Sequence, residues 1–147
     1  MEIRRAVPDD VPAIIRIGEQ TWPVAYAFAG ADYIAAGLAR WWSVPAIQAS
    51  LADTTTLVAV TEEGVTGIGN IDLRGETPVI WKLYVSPRAQ SSGIGSALLR
   101  ELIAVAGGGP VRLEYLDGNA RAAAFYTRHG FTEIGRDGSS VWMERAS

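Results

Sequence analysis

The chain has 147 residues, 48% of them apolar and 20% charged, which is enough apolar material for one buried core and argues against a disordered chain. Its net charge is −3 and Lys82 is its only lysine, so it lacks the basic patch of a protein that grips nucleic acid by its phosphates. The absence of cysteine and the single histidine, His129, exclude disulfides, thiolate metal sites, a cysteine nucleophile and a multi-histidine metal site.

Residues Glu2–Ala6 read as a first strand. Pro8-Asp9-Asp10 then opens a helix, with an Asp cap and Pro12 in the first turn, and Val11, Ile14, Ile15 and Gly18 on one face. Thr21-Trp22-Pro23 is expected to interrupt that helix. Asp32 is placed to cap a second helix carrying Ile34, Leu38, Trp41 and Trp42, which Pro45 restarts through Ile47 and Leu51. Three strand-like runs follow at Leu57–Thr61, Thr66–Leu73 and Val79–Val85. A helix beginning at a glycine loop repeats Ile94, Leu98, Leu102 and Val105, and Gly107-Gly108-Gly109 stops it. Val111–Leu116 is a strand, Asn119–Arg128 a short helix ended by Gly130, and Phe131–Gly135 and Val141–Arg145 are two closing strands. This order predicts a mixed sheet with helices on its faces. With no internal repeat and no long linker, residues 1–147 read as a single domain. Met1-Glu2-Ile3-Arg4-Arg5 is not followed by an apolar run of signal-peptide type, and no apolar stretch is long enough to span a membrane, so a cytoplasmic location is expected.

The segment Gln90-Ser91-Ser92-Gly93-Ile94-Gly95-Ser96 joins a strand to a helix. A helix N-terminus offers unpaired N–H groups and partial positive charge, and glycines let an anion come close to the backbone. No Gly-Lys-Ser/Thr follows, so this is not a P-loop, and a third glycine is missing for a dinucleotide fingerprint. By itself the loop is equally a plain turn into a core helix.

The wider context resembles the GNAT (GCN5-related N-acetyltransferase) superfamily. Leu83-Tyr84-Val85-Ser86-Pro87, then Gln90-x-x-Gly93-x-Gly95, then Ser96-Ala97-Leu98-Leu99, is similar to its acetyl-CoA signature. Downstream, Asn119-x-x-Ala122-x-x-Phe125-Tyr126-x-x-x-Gly130-Phe131 resembles its second half. The resemblance implies an α/β fold with a mostly antiparallel sheet of about seven strands, splayed between the fourth and fifth, and about four helices. It implies a transferase that moves acetyl from acetyl-CoA directly to a primary amine of a small molecule or a protein, with no metal. Alternatives are an acyl-CoA sensor without turnover, or use of another acyl-CoA. A homodimer is a frequent assembly of such domains. No nucleic-acid or membrane partner is expected.

By the same resemblance, Leu83, Tyr84, Val85, Gln90, Ser91, Ser92, Gly93, Ile94, Gly95, Ser96, Asn119 and Tyr126 form the cofactor site. Backbone N–H groups around Leu83 and Val85 would face the oxyanion. Ser91 and Ser92 stand where relatives often carry Gly and a basic residue, and Arg88 is a nearby positive charge. Tyr126, a phenol protonated at neutral pH, is the expected general acid, or else a core aromatic. Asn119 either bonds the pantetheine arm or caps its helix. The glutamate often found early in the strand before the loop is replaced by Val79. Glu76, Asp72 and Glu114 are the other carboxylates considered, alongside a water relay with no single base. His129 is read as a helix-end residue rather than a catalyst. Trp22 and Tyr26, next to a helix break, are the expected acceptor-site residues.

Overall fold

The computed structural model describes residues 1–146. The elements in chain order are β1 (Glu2–Arg5), α1 (Val11–Ala25), α2 (Ala31–Trp41), α3 (Val44–Asp53), β2 (Thr55–Thr61), β3 (Gly64–Asp72), β4 (Val79–Val85), α4 (Ile94–Val105), β5 (Val111–Leu116), α5 (Ala120–Arg128), β6 (Thr132–Asp137) and β7 (Ser140–Arg145). The seven strands form one sheet in the order β1-β2-β3-β4-β5-β7-β6, and only the β4–β5 pair is parallel.

Two cores lie on opposite faces of this sheet. On one face α4 buries Ile94, Leu98, Leu99 and Leu102 against Leu57, Ile71, Ile80 and Leu113, with Phe125 and Tyr126 of α5 packed alongside. Each fully buried aliphatic side chain there contributes roughly 1.5–3 kcal/mol. On the other face α1, α2 and α3 bury Ile14, Ile17, Trp22, Trp42 and Ile47 against Val58 and Ile68. Glycines set the spacing of both layers. On β3, an added Cβ at Gly67 would stand 2.9 Å from Leu98 and one at Gly69 2.8 Å from Leu102, so only glycine lets α4 lie this close.

The N-terminal helices depart from expectation in three respects. Pro23 does not interrupt α1 but lies within its last turn. The N–H that proline lacks would have paired with the carbonyl of exposed Glu19, which water can satisfy, while buried Trp22 holds the turn in place. Asp32 does not cap α2: Gly30, at φ 95°, turns the chain into that helix, and Asp32 sits in its first turn near the positive dipole end. The segment after Asp32 is two helices, because the chain breaks at Trp42 and Ser43 caps α3 through the Ala46 N–H (3.3 Å). This brings the α-helices to five.

The sheet opens where β4 bulges. Asn70 pairs with Lys82 but the next residue, Ile71, pairs with Ile80, leaving Trp81 as the extra residue on β4. β4 pairs with β5 only at Val79↔Arg112 and Ile80↔Leu113, so the two strands diverge from Trp81 onward. A bulge bends and twists its strand, and here it coincides with the point of divergence.

Candidate active site

The divergence leaves backbone groups of β4 without a sheet partner. Ser86 N–H donates to Thr66 O (2.8 Å). By the alternation of an antiparallel ladder, Tyr84 and Lys82 therefore turn their backbone groups toward β3, while Leu83 and Val85 turn theirs toward the opening. The Val85 carbonyl there accepts the Gln90 side-chain amide (3.0 Å).

The glycine loop lies at the end of β4. Ser91 and Gly93 both have positive φ, 67° and 84°. Successive left-handed turns of this kind make a concave nest of N–H groups. The first α4 bond from the loop is Ala97 N–H to Gly93 O (3.0 Å), so the N–H groups of Ile94, Gly95 and Ser96 precede the helical ladder. No side chain caps this end. A Cβ built on Gly93 meets nothing within 4 Å, whereas one on Gly95 makes ordinary contacts of 3.6–3.7 Å with Phe125 and Val85. The residues present therefore fit a pyrophosphate: an uncapped helix end, a nest, and open space above it. Gly93→Ala is expected to weaken coenzyme A binding and to cost about 1–2 kcal/mol through left-handed strain, while Gly95→Ala binds normally. Calorimetric titration of both variants with coenzyme A checks this, and equal binding would contradict it.

Several side chains predicted to touch the cofactor are engaged within the protein. Gln90 also accepts from Arg121 (3.4 Å), and Ser92 donates to the Ala89 carbonyl. The Ser96 hydroxyl pairs with His129 Nε2 (3.0 Å), and His129 Nδ1 faces the Phe125 carbonyl (2.9 Å). A carbonyl only accepts, so Nδ1 carries a hydrogen, and Nε2 is the ring atom that pairs with the Ser96 hydroxyl. His129 thus joins α5 to the first turn of α4. The Ile94 side chain is buried in the core, leaving its N–H as the group that faces the loop. Asn119 caps α5, its Oδ1 accepting from Ala122 N–H (3.1 Å). Tyr84 directs its phenol to the opposite face of the sheet from α4, where it meets the Tyr26 hydroxyl at 3.0 Å.

That opposite face holds a cavity of about 400 Å³ under α1, α2 and α3, walled by Trp22, Tyr26, Tyr33, Trp41 and Trp42 and floored by Asn70, Lys82 and Tyr84. A second, smaller space of about 60 Å³ lies in the gap between β4 and β5, lined by Tyr26, Leu83, Tyr84, Glu114, Asn119 and Tyr126. Trp22 and Tyr26 line the first cavity, and Tyr26 and Tyr126 line the second. Burial, reinforced by the neighbouring Tyr26, pushes the Tyr126 phenol well above its ordinary range, so it stays protonated. Burial likewise raises Tyr84 and Tyr26.

Of the carboxylates considered, Asp72 is bound by Arg74 (3.0 Å), which holds it down at about 2. Val79 is taken up in the short parallel pairing with Arg112. Glu114 lines both spaces and makes no ion pair or side-chain hydrogen bond among the described residues. Sequence reasoning overlooked Asn70 and Lys82. Asn70 is 3% exposed and donates to Thr54 (2.7 Å) and Thr56 (2.9 Å). Lys82 lies 5.1 Å from the Trp42 ring centroid, and burial lowers its ammonium to about 8. The available signal was a polar residue in the middle of each apolar strand.

A nest at an uncapped helix end, an aromatic cavity on the opposite face of the sheet from α4, and a gap between splayed strands are the features of an acyl-CoA-dependent transferase fold. The family model described as Acetyltransferase (GNAT) domain matches residues 52–133, and the chain belongs to that family. It is similar to N-alpha-acetyltransferase RimI of Mycobacterium tuberculosis, 40% identical over 73 residues, 47% of this chain and 46% of that protein. An uncharacterized protein of Mycobacterium leprae is 32% identical over 100 residues, 64% of this chain and 28% of that protein. The chain thus spans half or less of the length of these curated relatives. Among solved structures, PaiA N-acetyltransferase from Thermoplasma acidophilum, in complex with coenzyme A, superposes with a TM-score of 0.93 at 23% identity, covering 99% of this chain and 98% of that one. A GCN5-related N-acetyltransferase from Rhodopseudomonas palustris gives 0.86 at 20% identity, covering 99% and 95%. These likenesses show the fold, including its mostly antiparallel seven-stranded sheet.

Proposed function

We propose that the protein is an acetyl-CoA-dependent N-acetyltransferase acting on a primary amine. The observation that carries this reading is the gap between β4 and β5, which Leu83, Glu114, Asn119 and Tyr126 line together. Acetyl-CoA supplies the thioester, its pyrophosphate held by the loop 91–96 and the N–H groups of Ile94, Gly95 and Ser96. The N–H groups of Leu83 and Val85 face the carbonyl oxygen on which negative charge develops. Tyr126 donates a hydrogen bond to the departing sulfur, and Glu114, directly or through a water, takes the proton from the attacking amine. Trp22 and Tyr26 wall the acceptor. Because Glu114 stands at the gap, the absence of a glutamate at Val79 does not by itself favour a sensor without turnover.

The relation to an N-alpha-acetyltransferase supports a free α-amine as one acceptor class. The acyl group in this reading is acetyl. The same reading takes residues 1–147 as one catalytic domain with a cytoplasmic location and no nucleic-acid or membrane partner. In its support, the net charge is −3, and no helix among the described residues is long and apolar enough to cross a membrane. Amine-dependent release of free coenzyme A from acetyl-CoA tests the activity.

A further inference from the structure

The acceptor cavity contains a charge without a counter-charge. Lys82 projects from the middle of β4 onto the acceptor face, opposite Asn70, and lines both the large cavity and the gap. It makes no ion pair among the described residues, whereas Arg74, at the same cavity, is taken up by Asp72 (3.0 Å) and Asp53 (4.0 Å). Leaving a charge unmatched in a largely desolvated wall is unfavourable unless something else supplies the counter-charge.

Resting on the acetyltransferase reading, we infer that the acceptor amine also carries a carboxylate, as an amino acid or short peptide does, and that Lys82 is the residue that selects it. The two ends of such a molecule match the two ends of the site. The carboxylate meets Lys82, while the amine points toward unpaired Glu114 and Tyr126 in the gap. The same geometry disfavours a polycation. The aromatic face best suited to hold a second ammonium, Trp42, already has Lys82 over it at 5.1 Å, so a cationic tail would meet a like charge.

The test compares free amino acids and dipeptides with their C-terminal amides as acceptors, for the parent and for Lys82→Met and Lys82→Glu. The parent is expected to favour the free acids in kcat/KM by about thirtyfold or more, the effect of a desolvated charge pair. Lys82→Met removes that preference while still acetylating the amides, and Lys82→Glu reverses it. Removing an unpaired, partly buried charge is also expected to leave the melting temperature of Lys82→Met equal or higher. Equal turnover of acids and amides by the parent, or a preference that survives in Lys82→Met, overturns the inference and leaves the acetyltransferase reading standing. Failure of every amine to release coenzyme A would overturn that reading, and the inference with it.

Discussion

Tyr126→Phe is expected to lower kcat by about a hundredfold or more while leaving the affinity for acetyl-CoA unchanged. The substitution removes one hydroxyl from a ring otherwise packed against Phe125 and Phe131, so the helix that carries it should stay in place. Tyr126 lines the gap together with Glu114 and Asn119. Its pKa is raised first by burial and then by Tyr26, so the phenol keeps its proton across the range in which amines become nucleophilic. The sign of the pH dependence follows. A raised acid loses its proton only above its ordinary range of about 10, so Tyr126 adds no falling limb to the rate profile below that pH. Glu114→Gln should lower kcat comparably, by removing the proton acceptor rather than the donor. Steady-state kinetics with calorimetric binding distinguishes these outcomes from misfolding. Full activity in Tyr126→Phe would contradict the assignment of the acid.

Gly18→Ala is expected to destabilise the protein by about 1–3 kcal/mol, although in an ordinary helix interior the same change is favourable by about 1 kcal/mol. The reversal comes from Trp42. A Cβ at Gly18 would lie 2.3 Å from Trp42 Cδ2 and 2.4 Å from Cε3, and the indole is 2% exposed, so the ring must leave its packed position. Gly37 stands in the same relation to Trp22, at 2.0 Å. These two glycines let three helices close over two tryptophans, which in turn wall the cavity of about 400 Å³. Displacing Trp42 also disturbs its edge contact with Tyr84, 5.4 Å between centroids. The expected result is therefore a lower urea midpoint with an unchanged slope, together with a raised KM for the amine and unaltered acetyl-CoA binding. A variant as stable as the parent would show that the helix layer is looser than the contacts imply.

What could be read from the sequence was local. β4 and β5 coincide with the predicted Val79–Val85 and Val111–Leu116, because proline or glycine punctuates their ends. The loop 90–96 and α4 were readable because strand, glycines and helical apolar spacing follow one another without interruption. Asn119 was weighed as a cap or a ligand, and its bond to Ala122 N–H shows the cap. What escaped depends on distant partners. Pro23 looked like a break because its tolerance depends on where the helix ends and on the anchoring of Trp22. The bulge at Trp81, which sends Lys82 and Tyr84 to the acceptor face, arises from pairing with β3 and has no residue signature of its own. Glu114 stood among several carboxylates until the strands around it diverged. The acceptor cavity draws on α1, α2, α3, β3, β4 and β5, and no spacing rule joins residues so far apart in the chain.

The most direct test of the account is thiol release from acetyl-CoA against a panel of amines: amino acids, peptides with free N-termini, lysine side chains, polyamines and aminoglycosides. Amine-dependent release, with mass spectrometry showing one acetyl group added to the amine, is the predicted result. Tight binding of acetyl-CoA in a calorimeter with no release for any amine would contradict catalysis and leave a protein that binds the thioester without transferring its acyl group.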